Sequence, residues 1–240
     1  MDATLYVVPA SHPCATVERA LELKGIGYRR VDLVPGLHKL AQRRRFGAAT
    51  VPGLELGGER LIGSRRIVRR LDELVAEPEL YPRDAHLRVQ VERAEEWGDE
   101  VLQSFVRRLS WALLRRAPGA MDSYTAGAQL PIPPRIAALA SAPVAALSAR
   151  LNGASDPNVR ADLINLPRHL DRVDRWIDAG VLGGQQPNAA DLQIAASLRL
   201  ALTFGDLVPA IDPRPAGRLA RAQFPEYPGH VPAGTLPSAW

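Results

Sequence analysis

"TVPGLELGGERLIGSRRIVRRLDELV", residues 50–75, decides how the first third of the chain is read. The part up to Gly63 predicts two strands around the Gly57-Gly58 turn, a hairpin signal. From Ser64 the pattern changes period: Ile67, Leu71 and Leu74 share one helical face, and Ser64 stands where an N-cap belongs. Pro52 opens the apolar strand straight after Val51. Proline has no N–H for a sheet, so it marks an edge or a special turn. Two geometries are open for the Val51–Pro52 bond. One is a trans peptide at an edge-strand start, the commoner state. The other is a cis peptide that leaves the Val51 backbone groups free for a ligand.

Working outward, "TLYVV" (4–8) is a short apolar, β-rich run that predicts a buried strand. Residues 14–24 place Val17, Ala20 and Leu21 on one helical face. "GIGYRRVDL" supplies a glycine stop and then a second strand, and "HKLAQRRRF" suits one or two helical turns. The order over residues 1–78 is therefore β-α-β-α-β-β-α. "AEPELYPRDA" (76–85) has two prolines and reads as a linker. Beyond it only helices are expected, at 86–116, 135–151, 158–179, 188–204 and 214–223, with a break at "GAQLPIPP". The fold class is an α/β domain followed by an all-helical domain over 86–240. The Pro- and Gly-rich tail is expected to lie along the surface without regular structure.

Composition narrows the functions. The chain has 240 residues, 46% hydrophobic and 23% charged, with no apolar run long enough for a membrane span. The start, "MDATLYVVPASHP", lacks a basic n-region, so a cytoplasmic location is expected. Cys14 is the only cysteine, which excludes an intrachain disulfide framework and a four-cysteine zinc site. His12, His38, His86, His169 and His230 have no ligand spacing, so no metal is expected. The net charge is +4, and every basic residue except Lys24 and Lys39 is arginine. Acids are interspersed among Arg43–Arg45, Arg65-Arg66, Arg69-Arg70 and Arg115-Arg116, and aromatics are few. These clusters read as solvated faces or small-anion contacts rather than a nucleic-acid surface.

Two places carry chemistry. Ser64 and the N–H groups of its helix make an anion site that suits a carboxylate. In "ASHPCATVERALELKG" (10–25), Ser11 is placed to cap the first helix, and Cys14 falls about one turn in. Cys14 reads either as a small buried side chain or as a thiol able to form a mixed disulfide. His12 is near enough to tune either residue, although a lone loop histidine is more often exposed.

Taken together, "SHPCATVERALELKGIGYRRVDL", "TVPGLEL", "GERLIGSRRIVRRLDE" and "PNAADLQIA" resemble the glutathione transferase family over about residues 3–210. That family has a thioredoxin-like N-terminal domain and a helical C-terminal domain. The resemblance implies that Ser11 is the catalytic residue of a serine-type loop, with Cys14 at the second position of a lost C-x-x-C pair. His12 and Pro13, between them, are expected among the substrate-binding residues. It implies that Val51 with a cis Pro52 pairs with the backbone of a bound tripeptide. Gly63 and Ser64 then grip its γ-glutamyl end, and His38 or Lys39 reaches its glycine carboxylate. The tyrosine of other classes would fall at Val7, so Tyr6 is one residue out. Asn188 and Asp191 take the place of the family's structural capping box. The electrophile pocket would lie between the Ser11 loop and the 86–116 helix, near Arg107, Arg108 and Trp111. The implied co-substrate is glutathione or another low-molecular-weight thiol, the implied acceptor a small apolar electrophile, and the implied assembly a homodimer. Two departures stand out. Gly63 lacks the family's acid or amide, and His12 separates Ser11 from Pro13. They fit a different small thiol or a binding module without turnover. Thiol–disulfide exchange through Cys14 is a separate alternative.

Overall fold

A computed structural model describes residues 2–238, with Pro134 described only in its backbone. The chain opens as β1 (Ala3–Val7), α1 (His12–Leu23), β2 (Arg29–Asp32), α2 (His38–Phe46), β3 (Gly53–Leu56), β4 (Glu59–Ile62) and α3 (Ser64–Leu74). The sheet order is β2-β1-β3-β4, with β1 parallel to β2 and both other pairings antiparallel. This is the thioredoxin-like arrangement. Leu5, Val7 and Leu54 of the sheet are fully buried, as are Val17, Ala20 and Leu21 of α1 and Ile67 and Leu71 of α3. The helical faces marked by the sequence period are thus the ones that cover the strands. Gly53 is required by packing: a Cβ there would lie 2.6 Å from the Phe46 ring.

Register places three chain ends together. Tyr6 pairs with Gly53, and Gly53 pairs with Ile62. The end of β1, the start of β3 at Pro52 and the end of β4 therefore meet at one end of the sheet. Helices α1 and α3 both begin there.

The helical domain follows as α4 (Ala85–Trp97), a π-helical turn (Gly98–Leu102), α5 (Gln103–Arg116), α6 (Met121–Thr125), α7 (Pro134–Leu151), α8 (Asp156–Asp178), α9 (Ala189–Ala201), α10 (Val208–Ile211) and α11 (Pro215–Gln223). The long helix expected over 86–116 is continuous but carries the π-turn. At that turn Gly98 lets α9 approach, since a Cβ would lie 2.9 Å from Ile194. Every residue of α9 is buried, and the helix packs against α1, α4 and α11. Its N-terminus is closed by the capping box: Asn188 Oδ1 accepts from the Asp191 N–H at 3.1 Å, and Asp191 accepts from the Asn188 N–H at 2.9 Å.

Lys24 anchors the joint between the domains. Its buried ammonium donates to Asp72 at 2.7 Å and to the Val75 and Pro78 carbonyls at 2.6 and 2.5 Å. The tail departs from expectation. Its described residues form no helix or strand, but Phe224 and Val231 are buried in the helical core, so it is tied in rather than laid along the surface. No helix among the described residues is long and apolar enough to cross a membrane.

Candidate thiol site at the start of two helices

Ser11 is the N-cap of α1, in the extended conformation that a cap requires, yet its side chain makes no capping bond. It is reached through a turn in which the Ser11 N–H donates to the Val8 carbonyl at 3.1 Å. Pro9 fixes the first central residue of that turn, and Ala10 takes φ 57°. A proline followed by a positive φ defines a type II turn, in which glycine is the usual second residue. Ala10 is the only non-glycine residue with positive φ among the described residues.

The next three residues turn inward. His12, Pro13 and Cys14 are all buried. His12 lies 2.9 Å through Nδ1 from the Ser197 hydroxyl, whereas its Nε2 has no hydrogen-bond partner among the described residues. Burial, with a smaller contribution from nearby Arg107, holds its pKa well below the ordinary histidine value. His12 is therefore a neutral, interior group and not the exposed loop residue that base rates favour. Cys14 is 2% exposed, and burial pushes its thiol up to about 12. The Ser11 side chain and Val8 backbone hydrogen-bond to the sulfur and pull the other way, but by less.

The second half of the site lies at β3 and β4. The Val51–Pro52 peptide is cis, the rarer of the two geometries open from sequence. Sheet pairing starts only at Gly53, so Val51 stands outside the ladder. The Pro52 carbonyl accepts from the Gly63 N–H at 3.0 Å. Ser64 does not cap α3, contrary to the sequence reading. Gly63 does, because its φ of 89° turns the chain out of β4, and Ser64 becomes the first helical residue. The Ser64 hydroxyl is then buried with no partner among the described residues. An orphaned hydroxyl at a helix N-terminus, beside unpaired first-turn N–H groups, suits an anionic oxygen.

The remaining candidates are less engaged. Lys39 is exposed on α2, and His38 uses Nδ1 to accept from the Gly36 N–H at 3.1 Å. Trp111 is half-buried against the helical core. Arg108 is turned to α8, where it pairs with Asp162 at 2.7 Å. Tyr6 donates to Glu55 at 3.0 Å.

Sequence reading missed a polar seam between α1, the π-turn and α9. Asp99 accepts from Gln103 at 2.9 Å and from Gln193 at 3.3 Å, and Gln103 in turn meets Arg107. Gln193 and Ser197 continue it toward His12. The signal was present, because Asp99, Gln103 and Arg107 recur every four residues, as do Gln193 and Ser197. It was hidden by the apolar residues around it.

Residues 5–79 match the family described as "Glutathione S-transferase, N-terminal domain". Among solved structures, the chain is similar to a glutathione S-transferase from Rhodospirillum rubrum (TM-score 0.63, 20% identity, 97% of both chains covered). It is similar to another from Sinorhizobium meliloti (TM-score 0.62, 19% identity, 100% of this chain and 97% of that one). A theta class enzyme from Xanthomonas axonopodis pv. citri, with glutathione bound, aligns over 83% of this chain and 82% of its own (TM-score 0.55, 18% identity). No curated protein matches the sequence. The N-terminal domain thus matches the glutathione S-transferase N-terminal domain family, and over its whole length the chain has the fold of solved glutathione S-transferases.

Proposed function

We propose that this protein binds a small thiol, glutathione in the first instance, at the shared start of α1 and α3 and transfers it to a small apolar electrophile. The observation that carries the reading is the Ser64 hydroxyl, buried and unpartnered at a helix N-terminus. In the same cluster at the end of the sheet, Ser11 holds an N-cap position without spending its hydroxyl on the cap. A γ-glutamyl carboxylate would take Ser64 and the first N–H groups of α3. The Val51 backbone beside cis Pro52 would pair with the peptide. Ser11 would donate its hydroxyl to the sulfur. A hydrogen bond to a charged acceptor contributes about 1.5–3 kcal/mol, which raises the thiolate fraction roughly tenfold to hundredfold. The positive end of α1 adds to this. The thiolate then attacks the electrophilic carbon, a thioether forms and the leaving group departs with its electron pair.

Disulfide exchange through Cys14 is less favoured, because a sealed thiol with a pKa near 12 presents almost no thiolate. Gly63 supplies no side chain for the γ-glutamyl ammonium, so another small thiol and a binding role without turnover remain the rivals to test. We further propose a cytoplasmic homodimer, which sedimentation would refute by showing a single 26.1 kDa species.

Thermal shift with glutathione is the first experiment. Saturation at a hundred times the dissociation constant stabilises by about 2.7 kcal/mol. A shift together with conjugation of an activated aryl chloride supports the reading. A shift without conjugation favours the binding module, and no shift at millimolar glutathione sinks it for this thiol.

A further inference from the structure

The segment after α11 is fastened at four places. The Val231 N–H donates to the Thr203 carbonyl at 2.9 Å, and the Val231 carbonyl accepts from Gly205 at 2.8 Å. Asp206 accepts the N–H groups of Thr235 and Leu236 at 3.0 and 2.9 Å. Gly229 lies flat on Tyr124, where a Cβ would come within 2.2 Å of the ring. Buried Arg199 of α9 donates to the Phe224 carbonyl at 2.8 Å, and its guanidinium sits 5.9 Å above the Tyr227 ring. These fastenings deliver one group to the far end of the chain: the Tyr227 hydroxyl donates to the Ala10 carbonyl at 3.0 Å.

That carbonyl belongs to the Ala10–Ser11 peptide. A peptide group is planar, so holding it at both ends fixes its plane. The Ser11 N–H end is held by Val8, and the Ala10 carbonyl end by Tyr227. The plane in turn sets the direction in which the Ser11 side chain leaves the backbone. The loop needs such an outside hold. Ala10 occupies a positive φ that costs an L-residue stability, and Ser11 makes no capping bond to stiffen the helix start.

We propose that Tyr227 is a positioning residue: the C-terminal strap, steadied by Arg199, presents its phenol to the Ala10 carbonyl and so aims the Ser11 hydroxyl at the bound thiol. The aim rests on the thiol reading of Ser11, whereas the hold on the loop can be measured without it. Tyr227→Phe in the full chain keeps the ring and its packing and removes only the hydroxyl. Amide hydrogen exchange at Ser11 and His12 should accelerate about tenfold, with α8 unaffected, because one hydrogen bond in the loop is lost. With glutathione and an activated aryl chloride, kcat should fall about tenfold at nearly constant KM for glutathione. The pH of half-maximal rate should rise by about one, as the thiolate loses a well-aimed donor. A merely structural loss would lower Tm without moving that pH profile. Unchanged exchange in Tyr227→Phe overturns the proposal whatever the activity, and faster exchange with an unchanged pH profile overturns the positioning role. If the wild type conjugates nothing, the thiol reading is what has failed, and the exchange measurement still decides whether Tyr227 holds the loop.

Discussion

The start of α9 and the starts of α1 and α3 are all helix N-termini, and they are finished in opposite ways. At α9 the accounting is complete. Asn188 Oδ1 takes the N–H groups of Ala190 and Asp191, Asp191 takes those of Asn188 and Gly183, and Asn188 Nδ2 donates to Val181. At α1 and α3 it is left open. Ser11 caps without a capping bond, His12 Nε2 has no partner among the described residues, and neither does the Ser64 hydroxyl. Buried polar groups are ordinarily satisfied, so the unpartnered His12 Nε2 and Ser64 hydroxyl at these two helix starts are, on the proposed reading, where a ligand completes the set. The closed terminus holds the fold, and on the proposed reading the open ones take the ligand.

The largest expected effect is on the closed side. Lys24, like the α9 box, is fully satisfied, with a carboxylate and two carbonyls around a buried ammonium. Lys24→Met keeps the length but leaves Asp72 with only the Leu80 N–H and the Val75 and Pro78 carbonyls without their donor, which should cost about 2–4 kcal/mol. Denaturant unfolding should show that loss. A cost under about 1 kcal/mol would mean that the joint relaxes around the missing charge. Next comes Asn188→Ala, which removes the cap oxygen from two N–H groups and should cost about 1–2 kcal/mol. Neither change touches the cluster at the end of the sheet, so conjugation per folded molecule should be unaltered.

The opposite pattern is expected of the open termini. Ser64→Ala removes a hydroxyl that makes no capping bond and should change stability by less than about 0.5 kcal/mol, and Ser11→Ala, which gives up only the bond to the Cys14 sulfur, by no more than about 1 kcal/mol. Their effects should appear in function: Ser11→Ala mainly in kcat, and Ser64→Ala mainly in the KM for the thiol, by about tenfold. If Ser64→Ala destabilises as much as Asn188→Ala, its hydroxyl has a structural partner and the contrast collapses.

How much of this was legible in sequence follows the same division. The β-α-β-α-β-β-α order was readable because hydrophobic period and turn residues act locally, and the Asn188–Asp191 box because its partners are three residues apart. The residues alone left the Val51–Pro52 peptide open between cis and trans. The burial of His12 and the bond from Tyr227 to Ala10 were not readable, because both are fixed by groups far along the chain. His12 meets Ser197, and the tail passes over α9 before reaching the first turn. Ser64 was misplaced by one position for a local reason: serine is the favoured N-cap, but the chain leaves β4 through a left-handed Gly63, so the helix already starts at Ser64.

Cys14 supplies the smallest effect and tests the contrast from inside the site. It lies on the first turn of α1, three residues after Ser11, so position alone would make it reactive. Burial raises its thiol to about 12, above the unfolded value of about 8.5. The native protein therefore keeps the proton where the unfolded chain would lose it. This thiol's contribution to stability is fully present below about pH 8.5 and declines as pH rises from there toward 12. At pH 8 the native thiolate fraction is about one in ten thousand, against about a quarter in the unfolded chain. Iodoacetamide at pH 8 should label native protein only through unfolding, so added glutathione should slow labelling by stabilising the fold. Cys14→Ser should leave conjugation within about twofold, since on the proposed reading Ser11 carries the hydroxyl that meets the thiol. Rapid labelling of the folded protein, unaffected by denaturant, would show that the opening at α1 extends past Ser11 to Cys14, and would return disulfide exchange to first place.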